Sequence, residues 1–142
     1  MKKTILFTFL IACFTTIHAQ VEYNKGLIKV DGKDYAKVEV KKENFGITKN
    51  FVVFSPSGEK IITAKVATEF QGDPEDNSFL YYRLVFETNG QEGIFKVDAL
   101  GQEKSFVKLI GNSGILVDGK VDDSKVVSFI KEKGSTPKLK GD

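Results

Sequence analysis

The chain has no tryptophan, and its single cysteine and single histidine, Cys13 and His18, both fall within the first nineteen residues. If that segment is a leader that is removed, the mature protein has neither thiol nor imidazole. It can then form no disulfide, even in an oxidising compartment, and its stability has to come from a packed core. The usual ligands of zinc and the usual activators of a nucleophile are missing with them, leaving only carboxylate, Lys, Ser or Tyr chemistry. The sequence also has no Gly-rich phosphate loop and no Walker-type motif. The expectation is a protein that is not an enzyme and carries no cofactor and no metal.

Charge of one sign is lacking as well. Twenty-one basic residues face nineteen acidic ones, and setting aside Lys2 and Lys3 leaves nineteen of each. The lysines are scattered among acids and form no basic stripe, so nucleic acid is excluded as a partner. No apolar run is long enough to span a bilayer, which takes about 20 residues.

The first nineteen residues read as an export signal: Lys2 and Lys3, an apolar run over residues 5–17, then Ala19. Cleavage after Ala19 leaves Gln20 first and a soluble periplasmic or secreted protein. The rival is a lipoprotein, because Leu10-Ile11-Ala12-Cys13 resembles a lipobox whose Cys13 would carry the lipid anchor. Phe14 to Ile17 prolong the apolar stretch beyond Cys13, which favours soluble export. The 123 residues left of 142 after removal of nineteen are the size of one domain.

What is present is strand and turn. Residues 79–100 (FLYYRLVFETNGQEGIFKVDAL) place two strand-like runs around Asn89-Gly90, a favoured two-residue turn. That turn pairs Phe86 with Gly93, Leu84 with Phe95, Tyr82 with Val97 and Leu80 with Ala99 on an apolar face. On the opposite face it pairs Val85 with Ile94, Arg83 with Lys96, Tyr81 with Asp98 and Phe79 with Leu100. The first face needs a core, and the second is a mixture that buries poorly. Phe79, Tyr81, Arg83, Val85, Ile94 and Lys96 are therefore the candidate partner-binding residues, since Tyr and Arg are favoured at interface hot spots. Burial of the same face under another part of the chain, completing a sandwich, is the competing reading.

Earlier in the chain, Asp31-Gly32 joins residues 27–30 to residues 35–40, where Ala36, Val38 and Val40 face inward and Tyr35, Lys37 and Glu39 outward. Residues 47–54 and 60–68 form a further hairpin around Pro56 and Gly58. Residues 70–78 (FQGDPEDNS) are a loop whose acidic residues Asp73, Glu75 and Asp76 lack EF-hand spacing. Beyond residue 100 the period becomes helical. Residues 102–110 carry Phe106, Leu109 and Ile110 on one side, and a second helix with Val126, Phe129 and Ile130 follows a cap at Asp122 or Asp123.

Several short matches carry no chemistry. The two Val-Asp-Gly-Lys segments are turns. Ser105-x-x-Lys108 and Ser128-x-x-Lys131 lack the partner motifs of the penicillin-recognising enzymes. Glu87, Glu92 and Asp98 are read as surface charge.

The expected fold is α+β: an antiparallel β-meander of about six strands with two C-terminal helices on one face, or alternatively a small β-barrel or sandwich capped by helices. Residues 20–134 form the single domain and residues 135–142 a flexible tail. The expected function is an exported, non-catalytic binding module of the bacterial envelope or secretome that meets another envelope or secreted protein. The alternative is a carrier of a small, lipid-like apolar ligand between sheet and helices.

Overall fold

The computed structural model describes residues 20–71 and 75–141. The expected leader, with Cys13 and His18, and Asp73 of the acidic loop lie outside the described residues.

Seven strands follow one another as a simple meander: β1 (Val21–Asn24), β2 (Leu27–Val30), β3 (Lys33–Glu43), β4 (Thr48–Phe54), β5 (Lys60–Val66), β6 (Phe79–Phe86) and β7 (Glu92–Asp98). Every neighbouring pair is antiparallel. After them come α1 (Gln102–Gly111), a two-stranded ribbon of β8 (Leu116–Val117) and β9 (Lys120–Val121), and α2 (Asp123–Lys133). The α+β meander with C-terminal helices is thus the fold, curled into a half-barrel. Register shifts at Ile28/Lys29 and Val53/Phe54 mark bulges, which add local twist and help the sheet to curl.

The strand of the main sheet missing from the sequence reading is β1. It joins β2 through Lys25-Gly26, both in the left-handed region at φ 52° and 82°. Lys-Gly is a weaker turn signal than the Asp-Gly pairs that close the β2–β3 and β8–β9 hairpins.

The central hairpin differs from expectation in its register. Arg83 lies opposite Ile94, Tyr81 opposite Lys96, Phe79 opposite Asp98 and Leu84 opposite Gly93, two residues away from the two-residue-turn alignment. The loop takes four residues, 87–90, and Gly90 alone is left-handed in it, at φ 72°. Asn89 spends its side chain instead of its backbone: Oδ1 accepts from the Gln91 amide at 2.9 Å and Nδ2 donates to Asp123 at 3.1 Å. A slip of two leaves every side chain on its face, so the apolar side is the expected one. The new register sets Gly93 beneath α2, where a Cβ would stand 3.1 Å from Ile130 Cγ2.

The helices cover that apolar side. Phe106 of α1 stacks on Phe51 of β4 with centroids 4.2 Å apart, and Phe129 of α2 stacks on Phe95 of β7 at 4.8 Å. Tyr82, Leu84, Phe86, Val97 and Ile110 complete the contact layer, all at most 1 % exposed. Val107 is buried beside them, and Leu109, marked by the helical pattern, packs partly buried against the same core. Tyr35 is a second correction. The bulge makes it the extra residue of β3, and it packs against the core instead of facing out with Lys37. Its hydroxyl accepts from the Leu116 amide at 3.2 Å.

Residues 135–140 are tied down by main-chain hydrogen bonds, although they have little to bury. Ser135 donates to Ile94 O at 2.7 Å on the edge of β7, and Leu139 bridges to Phe70, flanked by Gln71 N to Lys138 O and Lys140 N to Glu69 O.

Candidate functional site

The six residues singled out from the sequence do come together, on the outer face of β6 and β7. Phe79 and Tyr81 meet edge to face at 5.2 Å, and the Lys96 ammonium sits 4.4 Å from the Phe79 ring centroid. Arg83 is neutralised by Glu69, with Glu92 3.6 Å away on the other side, while Val85 lies opposite Glu92 and Ile94 opposite Arg83. The Glu69 carboxyl is held below its ordinary value, first by its own backbone amide and then by Arg83.

Much of this face is answered from within the chain. Phe70 packs edge-on against Tyr81 at 6.0 Å and lies under the Arg83 guanidinium at 5.9 Å. The C-terminal residues run from the β7 edge at Ser135 to Phe70 at Leu139. Five of the six residues are half-buried and only Lys96 is exposed. Their charges and rings already have partners.

A second constellation lies at the open end of the half-barrel, where β1, the β3–β4 connection and the start of α1 converge. They enclose a groove of about 660 Å³, lined by Val21 and Tyr23 of β1, Ile47 and Lys49 beside the β3–β4 turn, and Leu100, Glu103 and Val107 at α1. The turn carries three consecutive left-handed residues: Asn44 at φ 50°, Phe45 at 59° and Gly46 at 87°. Asn and Gly suit this conformation, but a bulky aromatic does not, and its Cβ pays a steric penalty on the order of 1–2 kcal/mol there. The result projects Phe45 fully into solvent, with Ile47 73 % exposed beside it and Leu100 90 % exposed across the groove.

A single amide holds the two sides together. Gln102, 9 % exposed, donates from Nε2 to Ile47 O at 3.0 Å and to Ala99 O at 3.1 Å. Its Oε1 accepts from the Lys49 amide at 2.9 Å and lies 2.9 Å from the Tyr82 hydroxyl. The same hydroxyl is 2.6 Å from Lys49 O, so its one proton is shared between two acceptors. Burial pushes the Tyr82 phenol up to about 12, against the lowering influence of the Lys49 carbonyl bond. The next residue, Glu103, accepts from the Tyr23 hydroxyl at 2.6 Å and faces the Lys49 ammonium at 3.6 Å. Burial raises the Tyr23 pKa, and the Glu103 hydrogen bond and charge raise it further.

Sequence reasoning missed this end because its parts are distant in the chain. The available signal was Phe45 in Asn44-Phe45-Gly46, an aromatic at a turn position that calls for a small or polar residue.

The molecule is thus an α+β half-barrel with an apolar groove clasped open by buried polar groups. No family model matches the chain, and neither a curated protein nor a solved structure is significantly similar to it. Among the described residues, no group of three or more His, Cys, Asp or Glu side chains is placed to hold a metal ion. No helix among them is long and apolar enough to cross a membrane.

Proposed function

We propose that the protein is an exported, non-catalytic binding module of the bacterial envelope or secretome, and that it binds through the groove end in preference to the outer face of β6 and β7. One observation carries this reading: Ile47 and Leu100, two large apolar side chains, are left in solvent at a single groove, and the turn that supplies Gly46 to its lining leaves Phe45 in solvent as well. Scattered apolar residues are ordinary on a surface, whereas a cluster around a concave site marks a place of contact. The groove has the volume of a ligand site, for which roughly 300–1,000 Å³ is usual. The mature chain's lack of His and Cys supports binding over catalysis.

Immobilised residues 20–142 exposed to envelope extract, followed by mass spectrometry of the eluted proteins and lipids, test the reading. The wild type and Tyr81→Asp should retain the same component, and Leu100→Asp should lose it while melting within a few degrees of the wild type. Retention by Leu100→Asp together with loss by Tyr81→Asp would move the site to the outer sheet face.

A further inference from the structure

Resting on the groove reading above, we infer that the occupant is a single-chain amphiphile with an anionic head, its chain between Val21, Ile47, Leu100 and Val107 and its head at Lys104 and Lys108. All six residues line the one groove. The four apolar ones provide a wall that a hydrocarbon chain would cover, and Val107 already belongs to the core, so the wall continues inward. The polar side is unbalanced. Glu103 is the only acid on it, and both its oxygens are engaged, one by the Tyr23 hydroxyl and the other by Lys49.

Lys104 and Lys108 have no ion pair among the described residues, and both are exposed. They stand four residues apart on α1, where like charges repel each other and an anion between them would relieve the repulsion. An apolar wall ending at two unpaired ammonium groups is complementary to one acyl chain and one negative head. A neutral chain would leave the lysines unanswered, and a cationic one would be repelled by them.

Dodecanoate, dodecanol and dodecyltrimethylammonium, each below its micelle concentration, test the charge requirement on residues 20–142. The readouts are calorimetric affinity and the methyl NMR shifts of Val21, Ile47 and Val107. Dodecanoate should bind at least about tenfold more tightly than dodecanol, the scale of a charge-assisted contact. It should shift those methyls, and Lys104→Ala/Lys108→Ala should bring it to the level of the alcohol. Lys104→Arg/Lys108→Arg should restore the preference, which separates charge from packing.

Equal affinity for acid and alcohol would overturn the inference, as would methyl shifts confined to Val85 and Ile94. Sedimentation with phosphatidylglycerol vesicles but no uptake of free dodecanoate would replace it with docking to a membrane surface. If none of these probes binds while Leu100→Asp still abolishes capture from envelope extract, the amphiphile falls and the binding module stands.

Discussion

Gln102 is the residue on which the geometry of the groove depends, and truncating it gives a quantitative test. Gln102→Ala removes the partners of the Lys49 amide, of the Ile47 and Ala99 carbonyls, and one of the two acceptors near the Tyr82 hydroxyl. Water entering from the groove replaces some of these bonds, while a buried group left unpaired costs about 1–3 kcal/mol. With one such group stranded and the other losses at the small net value of an ordinary hydrogen bond, the total is about 2–3 kcal/mol. In a domain of this size that lowers Tm by roughly 8–12 °C. Thermal and urea unfolding followed by circular dichroism measure it, and a cycle with Tyr82→Phe isolates the coupling between the two side chains.

Gln102→Glu adds a pH signature. Its carboxylate keeps the acceptor role but presents its other oxygen to two carbonyls, so burial and those carbonyls raise its folded pKa above the unfolded value of about 4.3. For a carboxyl raised in this way, the penalty is absent below the unfolded value. It grows as pH rises and saturates above the folded value. The variant should approach the wild type near pH 4 and fall furthest behind it near neutrality. A loss under about 0.5 kcal/mol for Gln102→Ala, the size of an ordinary surface change, would refute the clasp. A Glu variant that gains on the wild type with rising pH would refute its electrostatic basis.

Two further outcomes follow from residues elsewhere in the fold. Asp122 caps α2, and its carboxyl is held below the ordinary value chiefly by the Ser124 hydroxyl and then by the Lys125 and Ser124 amides. The stability this gives is present above the unfolded value of about 3.9 and lost as pH falls through the lower folded value, so the Tm gap between wild type and Asp122→Asn should close below about pH 4; a gap independent of pH would refute this. Tyr81→Asp removes edge contacts with Phe70 and Phe79, each worth about 0.5–1.5 kcal/mol. It should cost about 1–3 kcal/mol in urea unfolding and leave dodecanoate affinity unchanged, and a Tm identical to wild type would show that the outer face is not held by those rings.

The fold was largely legible because its signals are local. Asp31-Gly32 and Asp118-Gly119 carry left-handed geometry in their own residue types; both are turns as read, and the second also closes a short hairpin that the sequence reading did not include. The inner face of the central hairpin survived an error of register, since strand side chains alternate with a period of two and the slip was also two. Non-local effects are what escaped. Asn89 reaches α2 with its side chain and so changes the loop, and the β3 bulge turns Tyr35 inward, where alternation had placed it outside.

The groove was illegible for a stronger reason. Val21, Ile47, Leu100 and Val107 are apolar residues in or beside a strand or on a helix, and apolarity alone assigns such residues to a core. What separates Ile47 and Leu100 from core residues is the arrangement of chain around them. Gln102 satisfies the main chain on both sides of the opening, so the two loops stand as walls without an apolar seam between them. The left-handed turn at residues 44–46 then carries Phe45 outward, where no other part of the described chain covers it. A fold under selection for stability alone would relieve both costs by placing a small or polar residue at 45 and closing Ile47 against Leu100. The strained Phe45 and the unclosed Ile47 and Leu100 are the two costs on which the proposal of a bound partner rests.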